Sequence, residues 1–135
     1  MLSSNLMDKI KLLRKFRDQM VKFFDEIIEQ FPTEGDFVII RIFLKDKIPV
    51  EKIMLQFVSN VLPHKEQVKK RDEQFFLSNI NLYSDVNKKF GEQKVNYFKK
   101  LWTKSNLDKE DKEIIWKWMD LFILLSEKYK NTYIN

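Results

Sequence analysis

Cysteine is absent from this 135-residue chain, histidine occurs once, glycine twice and proline three times. Without cysteine there is neither a disulfide framework nor a thiolate metal site, and a reducing intracellular setting fits better than secretion. With Gly35 and Gly91 as the only glycines, phosphate-cradling loops of the P-loop or dinucleotide type are excluded. Scarce turn residues also count against a many-stranded β fold. His64 has no second histidine or cysteine with which to share a transition metal, and reads as a solvated residue at a helix start. No spaced acidic loop of the calcium-binding kind occurs. The longest uncharged apolar stretches stop far short of the roughly 18 residues a membrane span needs. The opening MLSSNLMDKIKLLRKF is charged from Asp8 onward and does not read as a signal peptide.

What is present is apolar bulk and charge: 44% hydrophobic, 14% aromatic and 33% charged residues, enough for one solid core. The expectation is an all-α protein, a compact bundle of five or six helices forming one domain over residues 1–135, with frayed ends at 1–4 and 131–135. From Leu6 to Phe31, apolar residues recur at steps of three and four, and Pro32 ends this long first helix. Thr33 and Asp36 have the spacing of a weak capping box for a second helix ending near Asp46.

That second segment contains FVIIRIFL, residues 37–44, in which Arg41 is the one charge. As a helix it is buried except for a polar stripe of Glu34, Arg41 and Lys45, and the arginine sits on a wet edge of the core. As a strand it is also coherent, given its β-branched content. Pro49 at the first helical position opens a third helix, with Val50, Ile53, Met54, Phe57, Val58 and Val61 at core spacing. The charged HKEQVKKRDEQ begins a fourth helix, His64 to Leu77, read as a surface element. A fifth spans residues 85–103 after the loop-like SNINLYS, and Asp108 caps a last helix with a wide apolar face from Ile114 to Tyr129.

Catalytic chemistry finds little support. The carboxylate clusters DEIIEQ and LDKEDKE alternate with lysines on solvated faces, and a nucleophilic triad would have only His64 as its base. The chain therefore reads as no enzyme, with no cofactor. Charge is more informative. Residues 80–104 hold six lysines against two acidic residues, and Lys88, Lys89, Lys99, Lys100 and Lys104 share one broad helical face. That face is either solvated or an anion-binding surface able to hold nucleic acid through its phosphates, without sequence preference.

In the first helix the basic residues, among them Arg14 and Arg17, crowd the N-terminal half, while Asp25, Glu26 and Glu29 crowd the C-terminal end. This is the reverse of what the helix macrodipole favours. An antiparallel second copy would set each basic half against an acidic half, the geometry of a two-fold dimer. Other helices of the same chain could equally supply the partners.

The segments LRKFRDQMVKFFDEIIEQFP, EGDFVIIRIFLKDKIP, VKKRDEQFF and KEIIWKWMDLFI, in this order, resemble a small uncharacterised family carried by nucleocytoplasmic large DNA viruses, including those infecting amoebae. The resemblance covers roughly residues 10–130 and implies a viral protein acting in the cytoplasm or nucleus of the infected cell, or packaged in the virion. It carries no catalytic or ligand motif. The reading is a non-enzymatic helical interaction module, homodimeric and also binding a viral or host protein. The alternative is a nucleic-acid binder using the lysine face. A membrane-perturbing helical protein is a third class, motivated only by the length of the first helix.

Overall fold

The computed structural model describes residues 4–78, 102–103 and 107–134. Every regular element among them is helical and none is a strand, so the protein is all-α, and FVIIRIFL is helix. The helices are α1 (Ser4–Gln30), α2 (Gly35–Ile42), α3 (Val50–Asn60), α4 (Lys65–Lys69), α5 (Glu73–Ser78) and α6 (Lys109–Tyr133). The helix expected over 85–103 falls outside the described residues apart from 102–103, which are helical.

The chain divides into two compact units, residues 1–62 with 122–135 and residues 63–121. In the first, α1 buries Leu12, Leu13, Phe16 and Ile27. Ile53, Met54 and Phe57 of α3 and Phe122, Leu125 and Tyr129 from the second half of α6 are the buried hydrophobic side chains of those helices in this unit. Phe122 is the hub. Its ring lies 5.9 Å from Phe16, 5.7 Å from Phe23 and 6.1 Å from Phe57, each edge to face, the orientation that aromatic quadrupoles favour. Lys9 reaches across to Glu51 at 3.4 Å and sits 5.8 Å above the Tyr129 ring.

Several local expectations are corrected. Glu34, not Thr33, precedes α2, and it makes no side-chain cap bond, so the Thr33/Asp36 box does not form. Pro49 is the N-cap of α3 rather than its first residue, in an extended conformation that its ring permits. Beyond Ile42 the helix widens into a π turn, Phe43–Lys47, closed by Ile48 N–H donating to the Phe43 carbonyl at 2.9 Å. Residues 131–133, expected to fray, continue α6, and Tyr133 stacks on Tyr129 at 5.3 Å.

The second unit corrects the fourth helix. HKEQVKKRDEQ is broken: α4 ends at Lys69, and Arg71 takes φ 56°, the left-handed region normally left to glycine. Asp72 N–H donates to the Gln67 carbonyl at 2.9 Å and Arg71 N–H to that of Val68 at 3.0 Å. This is the Schellman pattern, with arginine at the glycine position. Asp72 then caps α5 by accepting the Phe75 N–H at 3.1 Å, so the chain restarts at once. His64, read as solvated, is half-buried with its ring 4.8 Å from Phe75. Asp108 caps α6 as expected, in a reciprocal box with Asp111: each backbone N–H donates to the other's carboxylate, at 3.2 and 2.8 Å.

Candidate functional site

α2, GDFVIIRI, is the most apolar stretch of any described helix, yet none of its residues is buried. Val38, Ile39 and Ile42 are 41%, 42% and 43% exposed. The expectation of a buried helix with one wet stripe is therefore overturned. An eight-residue helix that packs along one side of α1 covers only the side facing α1. Val38, Ile39 and Ile42 fall within ~100° on the wheel and form one outward apolar face.

Arg41 does not wait on that face for solvent. Its Nε donates to Asp25 Oδ1 on α1 at 2.6 Å, a charge-assisted bond that ties α2 to the acidic end of α1. That Nε bond goes to another helix rather than to Glu34 or Lys45, its expected stripe neighbours. Asp25 lies 16 residues away on another helix, so wheel geometry within one segment had no means of finding it.

α1 presents its own outer face. Met7, Asp8, Lys11, Arg14, Lys15, Asp18, Lys22, Asp25, Glu26 and Glu29 are all exposed and lie within ~120° of one another on the wheel. Of the residues expected at a dimer contact, Arg14, Asp25, Glu26 and Glu29 stand on this face, Asp25 being bonded by Arg41 and Glu26 also having a partner. Arg17 is half-buried and off it. Arg14 and Glu26 are twelve positions apart on one straight element, ~18 Å by helical rise, so the chain does not bring its basic and acidic ends together along α1. The expected anion-binding lysines, Lys88, Lys89, Lys99, Lys100 and Lys104, lie outside the described residues.

The charged cluster that the sequence did not foretell is built on Arg71. All five of its N–H donors are used. Nη1 reaches Asp120 Oδ1 and the Val68 carbonyl, Nη2 reaches Asp120 Oδ2 and Glu113 Oε1, and Nε makes a longer contact of 3.4 Å to Glu113 Oε2. The guanidinium carbon lies 5.9 Å from the centre of the Trp116 ring between those acids. Hydrogen bonds to Asp120 and then Glu113 hold Arg71 protonated beyond its usual range, and the bond from Arg71 pulls the Glu113 carboxyl down. Beside it Lys112 pairs with Glu73 at 3.6 Å and lies 5.3 Å from the Trp102 ring. Every donor being satisfied within the chain, this cluster is a clasp that fixes the α4–α5 turn on α6, with no donor left for a ligand. Seven-residue spacing of Glu113 and Asp120 around Trp116 is visible in the sequence, but its arginine is not.

In the first unit the attraction of Tyr129, then of Glu51, raises Lys9. Burial, followed by the nearby Glu51, raises the Tyr129 hydroxyl. Neither group is moved toward neutrality of charge near pH 7, where general acid–base work would need it. Among the described residues no cluster of three metal-ligating side chains occurs, and no helix is long and apolar enough to cross a membrane.

Fold and surface together define an all-α protein whose salient exposed features are an apolar helix face and a charge-segregated one. The chain matches no protein-family model, and comparison with curated proteins and with solved structures returns no match.

Proposed function

We propose that this protein is a non-enzymatic helical interaction module that associates with itself and presents its helix faces to a viral or host protein. One observation carries the reading: α2, the most apolar described helix, leaves Val38, Ile39 and Ile42 in solvent. A helix whose residues are apolar on its outer side as well as its inner one is suited to a partner surface rather than to water. The viral setting, in the infected cell or the particle, rests on the sequence resemblance alone.

Sedimentation velocity at micromolar concentration tests it. The wild-type chain is expected to run heavier than 16.5 kDa, and Ile39→Glu/Ile42→Glu to run as a monomer with unchanged helical circular dichroism. A wild-type monomer at every concentration refutes the self-association. The nucleic-acid alternative rests on the six lysines of residues 80–104, and a mobility shift that weakens steeply with salt would favour it.

A further inference from the structure

We infer that the outer face of α1 is self-complementary and binds a second copy of this chain in one antiparallel register, centred on residue 20. The inference rests on the interaction-module reading and names the partner and its alignment. Charges on the exposed face are ordered so that each meets its opposite when the helix is laid antiparallel on itself. Lys11 falls opposite Glu29 and Asp18 opposite Lys22 along the middle of the face, each pair of residue numbers adding to 40, and along its two edges Arg14 comes to Asp25 and Lys15 to Glu26. Two-fold symmetry makes every pair twice, and every charged position of the face from 11 to 29 is used.

Three further features support the assignment. α1 has no acidic residue in its first turn and no basic residue in its last, so its charge order works against its own macrodipole and is not explained by stabilising the isolated helix. Among the described residues no ion pair takes up Lys11, Arg14, Lys15 or Glu29, whereas Asp25 is held by Arg41 and Glu26 also has a partner in the chain, from which the second copy would draw them. Finally, Arg41 bonds the stripe at Asp25, and Val38 and Ile42 stand one turn and one position from Arg41. The apolar face of α2 thus borders the acidic end of the stripe. Exposed ion pairs alone give alignment more than affinity, and the apolar border supplies area that a charged helix pair ~27 Å long lacks.

Charge swaps read by sedimentation equilibrium at low and moderate salt test the register. Lys11→Glu/Lys15→Glu, or Glu26→Lys/Glu29→Lys, should each weaken self-association at least about tenfold, because either converts four attractive contacts to repulsive ones. The chain carrying all four substitutions should regain it, and an equimolar mixture of the two double variants should form mixed dimers. Helix stability is the control. Lysines at 26 and 29 suit the C-terminal pole of the helix, so that variant should lose association while keeping its circular dichroism. If association survives both reversals, or the four-fold swap fails to restore it, the register is wrong. The module reading then still stands if Ile39→Glu/Ile42→Glu abolishes association. A wild-type chain that sediments at 16.5 kDa throughout overturns both.

Discussion

Replacing Arg71 by glycine should leave the protein more stable than replacing it by alanine, although alanine is the better residue in a helix interior. Both substitutions remove the same guanidinium and the same bonds to Glu113, Asp120 and the Val68 carbonyl, so the loss of the clasp cancels in the comparison. What remains is backbone. At φ 56° a residue with a Cβ bears roughly 1–2 kcal/mol of strain, which glycine escapes. Against this, glycine gives the unfolded chain extra freedom worth about 0.5–1 kcal/mol. Glycine should therefore lead by about 0.5–1 kcal/mol, a gap of ~2–4 °C in melting temperature for a chain of this size. Wild-type arginine should exceed both, since Arg71 is only 28% exposed and its fork engages two carboxylates at 2.9 Å. Lysine there should fall between, having three donors and no planar fork. Urea unfolding followed by helical circular dichroism measures the series. Alanine equal to or above glycine would refute the left-handed Schellman geometry, and wild type no better than glycine would refute a stabilising clasp.

The first unit should be most sensitive at Phe122, which is 1% exposed among three edge-on rings: Phe122→Ala should cost about 3–5 kcal/mol in chemical denaturation, far more than Leu124→Ala on the exposed side. Acid should loosen the second unit. The Glu113 carboxyl is depressed when folded, so its contribution is complete above the ordinary carboxylate range and is lost as pH falls through its lower folded value. The acid limb of a stability profile should therefore flatten in Arg71→Gly, and an unchanged limb would count against that pairing. Lys9 and Tyr129 are both raised, so their share is present below their ordinary values and fades as pH climbs past them.

How much of this was legible beforehand differs from helix to helix. α1 and α6 were readable because each repeats its apolar residues at helical spacing for more than twenty residues, and Pro32 and Asp108 mark their nearest boundaries chemically. The break at Arg71 was not, because HKEQVKKRDEQ has the residues of a solvated helix and lacks the glycine that announces a left-handed cap. Trp116 is buried for a reason no spacing within α6 states, since in the second unit Phe76, Trp102 and Arg71 all come to that ring.

Local pattern by itself determined that the chain is helical and which long segments are helices, because the helical period is a property of neighbours three and four residues apart. It also determined the charge order along α1. Tertiary packing alone decided what answers Arg41, that α2 leaves Ile39 and Ile42 partly exposed, and that an arginine with a strained backbone holds the α4–α5 turn. Those outcomes depend on residues 16 to 49 positions apart, whose meeting is set by how helices pack and not by any spacing within them.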